Sequence, residues 1–145
     1  MKRLEKKPMS DSDIRQFIPD AKILRYSDLG RYNSIDELLP DDPDFAFILY
    51  EWQPNSGHWI SIMKAGRTIE VFDSYGVGID KELKWVPQSM RNILKEDVPL
   101  LKTLLDRSGY HIVWNRQKFQ ATSGTINTCG RHCLARVLEI GRAHV

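Results

Sequence analysis

Hydrophobic residues occupy nearly every position from Phe45 to Trp52, a pattern that predicts a central strand buried on both faces. The next two apolar segments alternate instead. His58–Lys64 and Thr68–Asp73 read as half-buried strands flanking Ala65-Gly66. Lys22–Tyr26 and Tyr110–Trp114 are shorter strand candidates. Helical spacing appears from Ser10 to Phe17, with Ser10 as N-cap and Pro19 as terminator, and from Ser34 to Leu39 before Pro40. Lys81 to Arg107 is helical in pattern but interrupted at Pro87 and Pro99, and the chain again looks helical from Cys129 onward. Asp41–Asp44, Gln53–Gly57 and Thr122–Thr128 carry loop chemistry.

The hairpin brings two polar residues together. With Ala65 and Gly66 as its central pair, Met63 faces Thr68, Ile62 faces Ile69, Ile60 faces Val71, and His58 ends the series opposite Asp73. A three-residue loop with a bulge would shift that register by one. Directly opposed residues hold their Cβ atoms about 4.5–5.5 Å apart. A carboxylate there accepts from an imidazole N–H, fixing its tautomer and stabilising the imidazolium. A histidine and an aspartate at strand ends are usually surface residues; a pairing register that joins them adds weight to a chemical role.

The second feature is Thr128-Cys129-Gly130-Arg131-His132-Cys133. Asn127 or Thr128 can cap a helix whose first turn holds Cys129, where unpaired N–H groups and the helix dipole favour thiolate. An imidazolium nearby completes the ion pair that makes a cysteine nucleophilic at neutral pH. Gly130 removes bulk beside the sulfur. Cys133, one turn deeper and above Val137, reads as a small core residue. The backbone N–H of Cys129 is one oxyanion donor. A glutamine upstream is the second, Gln120 being favoured over Gln117 because it follows Phe119 and opens the loop into the helix.

Size and charge narrow the setting. A chain of 145 residues makes one domain with a modest core, and 41% hydrophobic and 28% charged residues are ordinary for a globular protein. A net charge of +2 gives no excess that calls for nucleic acid. Lys2, Arg3, Lys6 and Lys7 read as a solvated, flexible arm over residues 1–9. The two cysteines, four residues apart, are poorly placed for a disulfide on one helix. No signal peptide or long apolar run appears, so the chain reads as a protein of a reducing compartment without a membrane span. No repeat or linker divides it, and residues 1–138 are expected to form a single domain. Residues 139–145, Glu-Ile-Gly-Arg-Ala-His-Val, match the in-frame translation of a common sequencing adapter and are expected to be non-native.

Gly57-His58-Trp59 on one strand, Phe72-Asp73-Ser74-Tyr75-Gly76 ending the next, then a glutamine and Cys129-Gly130 opening a helix, resemble the adenain and SUMO-protease superfamily of cysteine peptidases. The Thr-Cys-Gly-Arg-His-Cys form, preceded by Asn115 and Gln120, most resembles versions from DNA viruses and virus-like elements. The resemblance runs from about Phe45 to Leu138. It implies an α+β fold, a small antiparallel sheet packed on a central helix that carries the nucleophilic cysteine. It also implies His58 as general base, Asp73 as its orienting acid, Cys129 as nucleophile, Gln120 as oxyanion donor, and Trp59 packed over the triad. No cofactor or metal is expected. The implied partner is a polypeptide held extended in a groove, cut by a monomer, with viral structural precursors as substrates.

Other readings use the same residues. Removal of ubiquitin or a ubiquitin-like modifier needs identical chemistry. Cys129, His132 and Cys133, with His58 or His111, offer metal ligands but lack a paired Cys-X-X-Cys knuckle. A binding domain with a decayed triad is a third reading. Gly76-Val77-Gly78 lacks the third glycine and acidic partner of a nucleotide loop.

Overall fold

The computed structural model describes residues 10–53, 56–73, 79–80, 88, 99–114 and 133–138. In chain order the elements are α1 (Asp11–Phe17), β1 (Ile23–Arg25), a 3₁₀ turn (Tyr26–Arg31), α2 (Ile35–Leu38), β2 (Asp44–Gln53), β3 (Ser56–Ala65), β4 (Thr68–Phe72), α3 (Leu100–Asp106), β5 (His111–Trp114) and a helical segment, α4, over residues 133–138. The fold is α+β.

Local chemistry sets the short helices. The Ser10 hydroxyl accepts from Asp13 N, and Asp13 returns a bond to Ser10 N, closing a capping box at α1. Ser34 caps α2 by accepting from Glu37 N. At the other end of α2, Lys22 and Lys64 donate to the carbonyls of Leu38 and Leu39, placing cations where the helix leaves acceptors unpaired.

The sheet runs in the order β1-β2-β3-β4-β5. Its three middle strands are antiparallel, but β1 pairs parallel to β2 and β5 parallel to β4. The sheet is therefore mixed, which corrects the expected all-antiparallel one. Parallel neighbours need a crossover. The 3₁₀ turn and α2 lie between β1 and β2, and α3 lies between β4 and β5.

Alternation along β2, β3 and β4 divides the core. Ala46, Ile48, Tyr50, Ile60, Ile62, Ile69 and Val71 share one face and pack with Tyr26 and Leu29, with α2 through Ile35 and Leu38, and with α3 through Leu101, Leu104 and Leu105. Phe47, Leu49, Trp59, Met63 and Phe72 share the other and pack with Ile14 of α1 and with Cys133, Leu134 and Val137 of α4. Both sides of β2 are covered, as its unbroken apolar run anticipates. Arg136 of α4 donates twice to Glu70 Oε1, at 2.6 and 2.9 Å, and anchors that helix over β4.

The β3–β4 turn falls one residue later than expected. Ala65 pairs with Thr68, so Gly66 and Arg67 are central, and Gly66 has φ of 61°. A glycine with positive φ at the first central position is what a type II′ turn asks for. Met63 consequently faces Glu70 and Ile62 faces Val71, each partner two residues beyond the expected one.

Candidate active site

That register offsets the expected partners by two residues without separating them. Among the described residues the backbone pairs run as far as Ser61 and Phe72. Continued by one step, they set Asp73 beside Ile60, diagonal to His58 and not opposite it. A shift of two residues preserves the face on which every side chain lies, and diagonal neighbours remain within reach of long side chains. His58 Nε2 and Asp73 Oδ1 are 2.6 Å apart. Their side chains bridge the two strands.

The pair is enclosed. His58 is fully buried and Asp73 is 4% exposed. A carboxylate and an imidazole taken from water hold their geometry when hydrogen bonded to each other, because an unmade bond there costs the full desolvation of the group. With Asp73 ionised, Nε2–H is the donor, and Nδ1 becomes the nitrogen turned away from the acid.

Gly57 positions His58. A Cβ at residue 57 would stand 1.8 Å from the carbonyl oxygen of Tyr50 and 2.8 Å from Glu51 Cα. Only glycine allows β3 to lie so close to β2, at the edge of an irregularity between Glu51 and Gln53. Tyr50 is the direct cross-strand partner of His58. Its hydroxyl donates to Asp80 Oδ1 at 2.6 Å, and Asp80 Oδ2 accepts from Lys102 N in the first turn of α3 at 2.8 Å. Tyr26 stacks on Tyr50 with ring centroids 4.6 Å apart, and its hydroxyl accepts from Leu101 N. Burial pushes the Asp80 carboxyl above its ordinary range against the pull of these donors, and raises the Tyr26 phenol with help from the Asp80 charge. Sequence reading missed this network: Tyr50 and Asp80 are 30 residues apart, and no local pattern joins them.

On the opposite face, Cys133 Sγ lies 3.3 Å from the carbonyl oxygen of Trp59 and 3.9 Å from that of Phe72. Trp59 is 5% exposed and sits beneath α4, on the side of β3 away from His58. It also floors a cleft of about 210 Å³ with Leu49, walled by Arg15 of α1, Arg25 of β1 and Asp28. Arg25 Nε lies 3.9 Å from the buried Glu51 carboxylate.

The chain is 35% identical over 140 residues to the Sputnik virophage protein named uncharacterized protein V9, an alignment covering 95% of this chain and 79% of that protein. The chain belongs to the V9 family. The V9 family is thus one of viral proteins. No family model matches the chain, and no solved structure matches it.

Within this V9-family chain the structure brings together two of the four residues singled out from sequence, His58 and Asp73. Cys129 and Gln120 lie outside the described residues, as do the alternative Gln117, the 1–9 arm, His132 and the 139–145 tail. Cys133 falls in the core, where sequence reading put it. Among the described residues no group of three or more metal-ligating side chains gathers, and no helix is long and apolar enough to cross a membrane.

Proposed function

We propose that this protein is a cysteine endopeptidase in which His58 is the general base, Asp73 orients it, Cys129 is the nucleophile and Gln120 donates to the oxyanion. The observation that carries the proposal is the buried 2.6 Å contact between His58 Nε2 and Asp73 Oδ1. A histidine held by a carboxylate inside a sheet end is the base half of a thiol or hydroxyl nucleophile system. Two further facts support it. The Cys133 thiol touches the backbone of the residues next to both members of the pair. Cys129 is four residues upstream of Cys133 in the sequence.

The chemistry follows from which ring nitrogen Asp73 occupies. Nδ1 of His58 accepts the Cys129 proton, and the sulfur attacks the scissile carbonyl carbon. The oxyanion is held by the Cys129 N–H and the Gln120 side-chain amide. Collapse breaks the C–N bond, and the departing amine takes the proton from His58. Water then attacks the thioester with His58 again as base, releasing the acid and restoring the thiol. An extended polypeptide is the substrate class. The viral setting of the family favours structural precursor polypeptides.

The test is incubation of the purified chain with the structural precursors of its virus and, separately, with ubiquitin- and SUMO-based suicide probes. Cleavage of precursors, abolished by Cys129→Ala and by His58→Ala with the fold intact, is expected. Labelling of Cys129 by a modifier probe would move the substrate to ubiquitin-like proteins. Substantial cleavage by either alanine variant would remove the triad assignment.

A further inference from the structure

We propose that Cys133 is a positioning residue for the His58–Asp73 pair, acting through the backbone of Trp59 and Phe72. Its thiol donates to the Trp59 carbonyl at 3.3 Å and approaches the Phe72 carbonyl at 3.9 Å. Trp59 follows His58 directly, and Phe72 directly precedes Asp73. One buried sulfur therefore contacts the two strands one residue away from each member of the pair. It does so beside Ser61 and Phe72, the last β3–β4 pair among the described residues. Among the described residues, the His58–Asp73 bond lies on one face there and the Cys133 thiol on the other.

The position is built to be rigid. Cys133 is fully buried, Leu134 and Val137 pack into the same cluster, and Arg136 is tied to Glu70 on β4. A shift of the Trp59 carbonyl therefore moves His58, and a misplacement of about 1 Å near reacting groups costs as much as about 10²-fold in rate. The inference rests on the peptidase reading for its catalytic consequence, since Cys133 is four residues from Cys129 in sequence. The geometric part stands on the contacts alone.

A cysteine that only fills space makes a different forecast. Serine and alanine both lose the sulfur volume, and serine buries a hydroxyl besides, so packing alone ranks alanine at least equal to serine. A donor role ranks serine first, because its O–H can still bond Trp59 O. The experiment uses the full chain, labelled with ¹⁵N on histidine, and reads the His58 Nε2 proton resonance in wild type, Cys133→Ser, Cys133→Ala and Cys133→Val. Leu134→Ala serves as a packing control on the same helix.

The resonance is expected to stay at its wild-type position in Cys133→Ser and Leu134→Ala, and to shift or broaden in Cys133→Ala and Cys133→Val. On a precursor substrate the two variants without a donor should lose tenfold or more in kcat with KM within about twofold, while serine restores the rate. Valine fills the cavity without a donor, so it replaces alanine if alanine does not fold. Superimposable His58 resonances across all variants, or equal shifts in serine and alanine, would overturn the proposal. If wild type cleaves nothing, the peptidase reading fails, yet the resonances still decide the role of Cys133.

Discussion

His58 and Asp73 are joined side chain to side chain beyond Ser61 and Phe72, the last β3–β4 pair among the described residues. The bond crosses the sheet diagonally, two residues off direct opposition, and both residues are buried. In that setting an ionised acid sets which imidazole nitrogen carries the proton, and the proposed peptidase mechanism assigns proton exchange with Cys129 to the other.

Asp73→Asn tests that division of labour. An amide is nearly isosteric but does not stabilise an imidazolium, and it permits the wrong tautomer. The variant should keep its far-ultraviolet circular dichroism and lose about 10²–10⁴-fold in kcat, the range of general acid–base catalysis. A rate within threefold of wild type would show that Asp73 is structural.

Gly57→Ala tests the backbone that delivers His58. The added Cβ would meet backbone atoms of Tyr50 and Glu51, which have no flexible end to yield. A loss above about 3 kcal/mol is expected in urea denaturation, beyond ordinary overpacking. Gly30→Ala meets only Leu100 Cδ1 at 4.0 Å and should change stability by less than about 1 kcal/mol.

Much of this arrangement is legible in the alternation of β3 and β4. The turn is not. Ala65-Gly66 and Gly66-Arg67 both offer a glycine, and choosing the former misplaces each pair by two residues while leaving every side chain on its proper face. That is why the His58–Asp73 contact survives an incorrect register. The parallel edges are illegible for a different reason: β1 has 3 residues and β5 has 4, and neither is joined by a tight turn to the strand it pairs with. The Lys22 and Lys64 bonds to the end of α2 leave no periodic trace either.

Asp80 gives a pH signature. Burial raises its folded-state pKa above the ordinary 3.8, so between the unfolded and folded values the native protein holds more protons than the unfolded chain. Its stabilising contribution is complete below 3.8 and is lost as pH rises through the folded value. Asp80 also has φ of 62°, a conformation asparagine tolerates. Asp80→Asn should therefore fold, and the stability of wild type relative to it should fall as pH rises above about 4. Denaturation midpoints at several pH values check this; a difference that is constant, or that grows in favour of wild type, would contradict it.

Activation of Cys129 by the buried His58–Asp73 pair, as proposed, is read from the pH dependence of Cys129 alkylation by iodoacetamide, followed by mass spectrometry. The expected result is a thiolate formed well below the ordinary thiol value of about 8.5, returning toward that value in His58→Ala. An ordinary thiol profile in wild type, unchanged by His58→Ala, would contradict it.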